Sequence, residues 1–197
     1  MKRVFDILVS FISIIFLIIP VIIIIILIRL SSKGNALHWS KRVGRDGVIF
    51  MMPKFRSMRL DTPDIASHLM TDPEQYFTPI GKFLRQSSID ELPQLISIIK
   101  GDMSFVGPRP ALFNQHDLIK LRMEKGIDKL LPGVTGWAQV NGRDEITIQH
   151  KVSLDEEYIK YKSFWFDMKI LWPVSYTHLR AHETLMNLVC RLLLEKN

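Results

Sequence analysis

The feature that most constrains this 197-residue chain is an uncharged apolar run over residues 7–28. A stretch of roughly 20 apolar residues is long enough to cross the hydrocarbon layer of a bilayer as a helix. A cleavable signal peptide fits poorly, because the run is too long and Arg29 and Leu30 follow it in place of a small-residue cleavage site. The run therefore predicts a membrane-inserted helix over residues 1–30.

Pro20 interrupts this run and predicts a bend, because its ring lacks a backbone N–H and clashes with the carbonyl of Phe16. Basic residues flank both ends of the run, and positive charge marks the cytoplasmic side of a membrane helix. Two geometries stay open: a straight span, which tolerates proline, and a re-entrant helix that leaves on the side it entered. Asp6 is expected to lie at the interface or to pair with Lys2 or Arg3.

The remainder of the chain has the composition of a polar globular domain with a basic balance. Lys and Arg number 26 against 20 Asp and Glu, a formal net charge of +6. Such a surface suits phosphates, anionic lipid or nucleic acid, but the sequence has no nucleic-acid motif, P-loop or G-x-G-x-x-G pattern. Cys190 is the single cysteine, as expected in a reducing compartment. His178 and His182 lack a third ligand, so a metal site there is not expected.

The coarse secondary-structure prediction is an α+β fold that is mostly helical. A strand is predicted at residues 48–52, and a strand with a turn at residues 136–142. Residues 61–79 contain three prolines and are predicted to be a loop. The predicted helices cover residues 80–85, 92–99, 113–131, 152–162 and 164–172.

Two adjacent acids stand near the start of a predicted helix in residues 87–95. Local physics favours a capping box there, in which Ser88 and Glu91 satisfy the first backbone N–H groups. Pro93 would occupy the fifth helical position, which predicts a bent helix or one that begins near the proline. A carboxylate at such a start is held as an anion by the helix dipole. Asp90 could then attack phosphorus, and Glu91 could hold Mg²⁺.

Two later loops could bind phosphate or a nucleotide. Prolines on both sides of Arg109 restrict its backbone and would present the guanidinium in a fixed direction, as bidentate phosphate binding prefers. The alternative is an ordinary proline-rich loop with a solvated arginine. In residues 132–143, Thr135, Gln139 and Arg143 could line a sugar or nucleotide pocket, and the alternative there is a structural hairpin.

Taken in order, these segments resemble the bacterial sugar transferase family, the monotopic phosphoglycosyl transferases that start O-antigen, capsule and glycoprotein glycan assembly. The resemblance covers about residues 1–172. Besides the apolar helix with its central proline, it is carried by KFRSM at residues 54–58, IDELPQL at 89–95, KGDMSFVGPRP at 100–110 and PGVTGWAQVNGR at 132–143.

The resemblance implies an enzyme that moves a sugar-1-phosphate from a UDP-sugar to undecaprenyl phosphate, the first membrane step of polysaccharide or glycoprotein glycan biosynthesis. Asp90 would attack the β-phosphate, release UMP and carry the phosphosugar until the lipid phosphate takes it. Glu91 would hold Mg²⁺, the implied cofactor. The residues predicted to bind substrate or phosphate are Arg85, Arg109, Lys54, Arg56, Gln139 and Arg143.

The resemblance also implies a re-entrant N-terminal helix, bent at Pro20, beneath a small catalytic domain at residues 31–172. That domain would lie on the cytoplasmic face of the bacterial inner membrane. The expected partners are the UDP-sugar, undecaprenyl phosphate, membrane lipid and later glycosyltransferases of the pathway, and nucleic acid is not expected. A basic helix face could contact anionic lipid or be merely solvated; its residues are Lys120, Arg122, Lys125 and Lys129.

The sequence departs from the family pattern in two places. Ile19 stands where members often have a serine whose hydroxyl could bond the backbone carbonyl freed at the bend. Residues 173–197 do not resemble the family's C-terminus, and we interpret them as an atypical, non-native tail without assigned function. Residues 111–115 and 155–158 look most like members that use N-acetylhexosamine-type sugars.

Two other function classes compete with this interpretation. A membrane glycosyltransferase that releases UDP is less favoured, because the sequence has no DxD-type metal motif. A non-catalytic membrane adaptor would bind no nucleotide and would be indifferent to substitution of Asp90, Glu91 or Arg109.

Overall fold

A computed structural model describes residues 1–63, 72, 74–142 and 146–172 of the chain. Across these residues the helices are α1 (Lys2–Ser31), α2 (Gly81–Gln86), α3 (Leu95–Lys100), α4 (His116–Glu124), α5 (Trp137–Val140), α6 (Ile148–Tyr161) and α7 (164–172). The strands are β1 (Leu37–Val43), β2 (Ile49–Phe55), β3 (Ser104–Val106), β4 (Ala111–Leu112) and β5 (Gly133–Thr135). Short 3₁₀ helices lie at Arg45–Gly47, Glu74–Tyr76, Ile89–Gln94 and Ile127–Lys129. The prediction of a mostly helical α+β fold is confirmed.

Two small sheets hold the segments between the helices. In the first, β1 lies between β2 and β4 and is antiparallel to both, with Leu37 opposite Phe55 on β2. In the second, β3 and β5 are parallel, with Ser104 opposite Gly133. The strand predicted at residues 48–52 is confirmed as the first part of β2. The second sheet brings together two loops that lie about thirty residues apart in sequence.

Helix α1 continues through Pro20. Within the described residues it is the one helix long and apolar enough to cross a membrane. Its middle is exposed, with Phe16 at 78%, whereas Asp6 near its start and Ile28 near its end are buried. The helix therefore meets the globular part of the protein at both ends and exposes apolar side chains between them.

The first turn of α1 is fastened to the globular part by Lys2. Its Nζ donates to the carbonyl of Val106 at 2.8 Å, to the hydroxyl of Tyr158 at 2.9 Å and to Oδ2 of Asp167 at 2.7 Å. Tyr158 also donates to Oδ1 of Asp167 at 2.6 Å. This buried cluster joins α1, β3, α6 and α7 at a single ammonium group.

Asp6 is buried against β3, so the prediction that it pairs with Lys2 or Arg3 is wrong. Ser104 Oγ donates to its Oδ2 at 2.8 Å, and the backbone N–H of Phe105 donates to its Oδ1 at 3.4 Å. Lys2 is engaged with the cluster above, and Arg3 donates to the last carbonyls of α3. A polar strand edge thus supplies the hydrogen bonds that a buried carboxylate requires.

The last turns of α1 belong to the main core. Ile28 is fully buried in a cluster with Ala36, Phe55 and Leu84. Burial of an isoleucine side chain of this kind contributes about 2 kcal/mol. The anchor helix is therefore part of the folded domain as well as a candidate membrane segment.

The strand predicted at residues 136–142 is wrong, because Trp137–Val140 form helix α5 directly after β5. Trp137 and Val140 are three residues apart and both pack against the cluster of Tyr158 and Ile170, which suits a helical turn. The long helix predicted over residues 113–131 is also divided. It ends at Glu124, and Gly126, with φ of 68°, separates it from the following 3₁₀ turn.

Candidate active site

Asp90 and Glu91 lie in the 3₁₀ helix Ile89–Gln94, which leads directly into α3. The predicted capping box is wrong, since Ser88 has φ of 55° and its side chain makes no capping hydrogen bond. Pro93 offers no N–H for an α-helical bond to Ile89, which favours the tighter 3₁₀ geometry. The alternative prediction of an irregular helix start around the two acids is confirmed.

Lys54, near the end of β2, lies beside both carboxylates. Its Nζ is 2.8 Å from Oε1 of Glu91 and 4.0 Å from Oδ2 of Asp90. Nη2 of Arg109 lies 2.9 Å from the same Oε1. Glu91 therefore forms close ion pairs with two cationic side chains, whereas Asp90 forms a longer ion pair with Lys54.

Burial and charge act differently on these two acids. Burial is the strongest influence on Asp90 and raises its pKa against the opposing attraction of Lys54. Burial also acts to raise the pKa of Glu91, but Arg109 and Lys54 together outweigh it and lower that pKa to about 2. The helix-dipole prediction for Asp90 left out burial, which acts in the opposite direction. One carboxylate is thus firmly ionised beside another that holds a proton more readily than a free aspartate.

Arg85 of α2 lies on the Asp90 side of this cluster, where its positive charge lowers the pKa of Asp90. Its guanidinium lies 5.5 Å from the centre of the Phe77 ring, and Nη1 is 3.4 Å from Sδ of Met58. The structure thus brings Lys54, Arg85 and Arg109 together around the two acids. The solvated-arginine alternative for Arg109 is wrong, because its side chain pairs with Glu91.

Arg56 and Gln139 are engaged elsewhere. Arg56 is 4% exposed, and its guanidinium donates to the carbonyls of Ser32 and Lys33 at the end of α1. Ser32 and Lys33 directly follow α1, so Arg56 fastens the chain where that helix ends and does not join the carboxylates. Gln139 donates to Val134 O at 2.9 Å, and its Oε1 is buried without a hydrogen-bond partner among the described residues. Arg143 lies outside the described residues.

The loop that carries Arg109 packs directly on the glycine-rich loop at β5. The N–H of Gly107 donates to Thr135 O at 2.9 Å, and the N–H of Gly133 donates to Pro108 O at 2.9 Å. A Cβ at Gly107 or Gly133 would collide with the backbone of the opposite loop. Two motifs that are separate in sequence therefore form one unit. In the described residues 132–142, helix α5 follows β5, so the structural-hairpin alternative is wrong there.

Behind this loop lies a buried ion pair that the sequence did not predict. The sequence predicts Arg122 on a basic helix face that contacts lipid or is solvated, but its side chain is buried against Asp155, with Nη2 2.7 Å from Oδ2. The prediction is wrong for this residue. Helical spacing could have predicted this burial, because residues three or four positions apart are neighbours on a helix face. Arg122 lies four residues after the buried Leu118, and Asp155 lies three residues after the buried Val152.

Known proteins are similar to this chain over most of its length. The model of a family described as bacterial sugar transferase matches residues 1–180. The UDP-glucose:undecaprenyl-phosphate glucose-1-phosphate transferase of Escherichia coli K12 is 39% identical over 180 residues, which cover 87% of this chain and 39% of that protein. The undecaprenyl-phosphate galactose phosphotransferase of Salmonella typhimurium is 34% identical over 198 residues, which cover 91% of this chain and 40% of that protein.

A shorter relative is similar over most of its length. The uncharacterized sugar transferase EpsL of Bacillus subtilis is 38% identical over 173 residues, which cover 87% of this chain and 83% of that protein. The chain thus spans about two fifths of the length of the first two relatives and most of the third. The family match continues past residue 172, where the resemblance was predicted to end, into the segment predicted to be a non-native tail, which lies outside the described residues.

Proposed function

The chain belongs to the bacterial sugar transferase family, and from that premise we propose that it transfers a sugar-1-phosphate from a UDP-sugar to undecaprenyl phosphate. The names of the Escherichia coli and Salmonella relatives support the lipid acceptor. The observation that carries the proposal is the pair of adjacent carboxylates with opposed pKa shifts, set among Lys54, Arg85 and Arg109. Phosphoryl transfer depends mainly on such positioned charges.

Asp90 is the proposed nucleophile of the first step. One of its carboxylate oxygens attacks the phosphorus that bears the sugar. The bond from that phosphorus to the bridging oxygen breaks, and UMP leaves with the electron pair. Asp90 fits this role because its ion pair with Lys54 is long, at 4.0 Å, and its burial removes the water that would shield the attacking oxygen.

The second step is a displacement at the same phosphorus. An oxygen of undecaprenyl phosphate attacks, the bond from phosphorus to Asp90 breaks, and the carboxylate is regenerated. The product is undecaprenyl-diphospho-sugar, a substrate for later glycosyltransferases. Lys54, Arg85 and Arg109 stabilise the negative charge of the phosphoryl oxygens in both steps.

Glu91 fits the part of a single protein ligand to Mg²⁺. Mg²⁺ commonly takes one or two carboxylates and completes its shell with water and substrate phosphates. The described part of the chain has no group of three or more His, Cys, Asp or Glu that could hold a metal by itself, so the donor's diphosphate would complete the site. Glu91 would hold the cation through its carboxylate, and Lys54 and Arg109, which both contact Oε1, keep that carboxylate in place. When bound, Mg²⁺ would neutralise charge on the diphosphate.

Nucleotide release tests this function. The protein would be held in nanodiscs with Mg²⁺, undecaprenyl phosphate and a panel of UDP-glucose, UDP-galactose and UDP-N-acetylhexosamines. We expect UMP that depends on both the lipid and one donor, and an N-acetylhexosamine donor is the one we propose. Release of UDP would instead identify an ordinary glycosyltransferase. If no donor releases a nucleotide and the protein does not bind UDP, the result would favour the non-catalytic membrane adaptor.

The pH dependence of single-turnover UMP formation is expected to be bell-shaped. The acid limb should lie above the usual aspartate range, because burial raises the pKa of Asp90, whose anion attacks. The alkaline limb should lie below the usual lysine range, because burial lowers the pKa of Lys54, whose cation is needed. Glu91, with a pKa of about 2, stays ionised throughout. Lys54→Arg should remove the alkaline limb and keep the acid one; an unmoved alkaline limb would exclude Lys54 as its source.

We also propose that α1 is re-entrant and that the domain lies on the cytoplasmic face of the bacterial inner membrane. A straight helix of 30 residues would measure about 45 Å, which exceeds the roughly 30 Å thickness of the hydrocarbon layer. Both ends of α1 pack against the same globular domain, and Pro20 lies in the exposed apolar middle of the helix. Trp165 and Trp172 are 80% and 75% exposed, and tryptophan favours the membrane interface. Phe164, the first residue of α7, contacts Phe5 of α1.

Thiol labelling distinguishes the two geometries. In a Cys190→Ser background, Val4→Cys, Phe16→Cys and Leu30→Cys place single thiols at the start, middle and end of α1. An impermeant maleimide should label positions 4 and 30 only from the cytoplasmic side, and position 16 from neither side. Labelling of positions 4 and 30 from opposite sides would establish a straight span.

A further inference from the structure

The buried pair of Arg122 on α4 and Asp155 on α6 reaches the candidate active site through one hydrogen bond. These residues are 8% and 1% exposed. Nε and Nη2 of Arg122 lie 3.0 and 2.7 Å from Oδ2 of Asp155. The remaining nitrogen, Nη1, donates to the backbone carbonyl of Arg109 at 2.7 Å. One guanidinium therefore links two helices to the residue whose side chain pairs with Glu91.

The loop at Pro108, Arg109 and Pro110 is held through its backbone carbonyl groups. Neither proline has a backbone N–H, so the carbonyl groups are the main handles by which this loop can be held. Each of the three carbonyls accepts a hydrogen bond, the first from Gly133, the second from Arg122 and the third from Arg42 at 3.1 Å. The central one fixes the residue whose guanidinium enters the site.

Stability alone is a weak reason for such a pair. Removing two charges from water is costly, and an apolar pair of similar volume is often at least as stable. An apolar pair, however, could not donate to the carbonyl of Arg109. The charge on Asp155 fixes the orientation of the planar guanidinium, and that orientation aims Nη1 at the loop.

We propose that Arg122 and Asp155 are positioning residues for Arg109, and through it for the cation pair on Glu91. This inference rests on the proposed function, because it concerns the geometry of that same site. A misplacement of about 1 Å in a group that stabilises a transition state can lower the rate by roughly 100-fold. The pair therefore controls turnover without contacting the substrate.

Arg122→Lys is the sharpest single test. A lysine keeps the positive charge beside Asp155 but cannot also reach the carbonyl of Arg109 with a second planar N–H group. We expect kcat for UMP release to fall by roughly 30-fold in the otherwise unchanged protein, in line with a displaced Arg109. In an Arg109→Ala background, the same substitution should change kcat less than 2-fold, because the group it positions is already absent.

The controls separate positioning from folding. Glu157→Gln, on the same helix α6, removes a charge but keeps an acceptor for Nε1 of Trp137, and it should leave kcat within 2-fold. Asp155→Asn repeats the cycle if Arg122→Lys does not fold, as judged by thermal unfolding. An equal loss in both backgrounds, or no loss in either, would overturn the proposal. Absence of turnover in the unsubstituted protein would instead count against the proposed function.

Discussion

Asp90→Asn is expected to abolish UMP release, with a loss of about four orders of magnitude or more. An amide of the same size fills the same buried place but cannot attack phosphorus. Since burial raises the pKa of Asp90, its charge is a cost to the folded protein, and the neutral variant should melt at the same or a higher temperature. An inactive enzyme that is no less stable would place Asp90 in the chemistry and not in the maintenance of the fold.

The trapped intermediate gives a second readout for this substitution. Donor labelled in its β-phosphate, supplied without undecaprenyl phosphate, should label the unsubstituted protein and leave Asp90→Asn unlabelled. Asp61→Asn is the matched control, because Asp61 is exposed and pairs with Arg59, two residues before it. Residual turnover above 1% in Asp90→Asn would remove the aspartate from the role of nucleophile.

Glu91→Gln is expected to lower turnover by about three orders of magnitude and to raise the Mg²⁺ concentration required for half-maximal rate. The glutamine retains the shape of the side chain but loses the charge that holds Lys54 and Arg109 together. Leaving Lys54 buried without its closest anion should cost about 3 kcal/mol of folding free energy. Mg²⁺ titrations of UMP release and thermal unfolding measure the two effects.

A double variant separates the two effects of Glu91. In Lys54→Met/Glu91→Gln, the unpaired buried cation is gone, so stability should return while turnover stays low. The interpretation of Glu91 as a metal ligand would be contradicted by an Mg²⁺ requirement that is unchanged in Glu91→Gln. A rate that recovers together with stability would exclude both Lys54 and Glu91 from the chemistry.

The short motifs predicted the centre of the site because their chemistry is local. Two adjacent acids beside a proline imply an irregular helix start, and an arginine between two prolines implies a directed side chain. Lys54 and Arg56 show that a short motif does not determine where each of its side chains lies in the fold. Both are basic residues of one motif, but β2 ends at Phe55, and beyond it Arg56 turns to the end of α1. The position of a strand end depends on its neighbours.

The supporting residues could not be predicted from their own segments. Asp155 begins an acidic run that has the composition of a solvated helix face, yet it is among the most deeply buried residues described. The Asp155 carboxylate is buried because Arg122, on another helix, pairs with its charge. Asp6 is similar, because the Ser104 and Phe105 groups that satisfy it come from a strand almost a hundred residues later.

The attachment of Lys2 to Asp167 spans 165 positions of the chain. A ribosome delivers the apolar helix first, and that helix can enter the bilayer long before the acid that receives its ammonium group has been synthesised. Asp6 lacks its native partners until β3 has been synthesised, and Lys2 lacks Tyr158 and Asp167 until α6 and α7 have followed. A nascent chain therefore acquires its apolar helix early and its ordered Arg109 loop late, because that loop is held by β5, α4 and, through Asp155, α6.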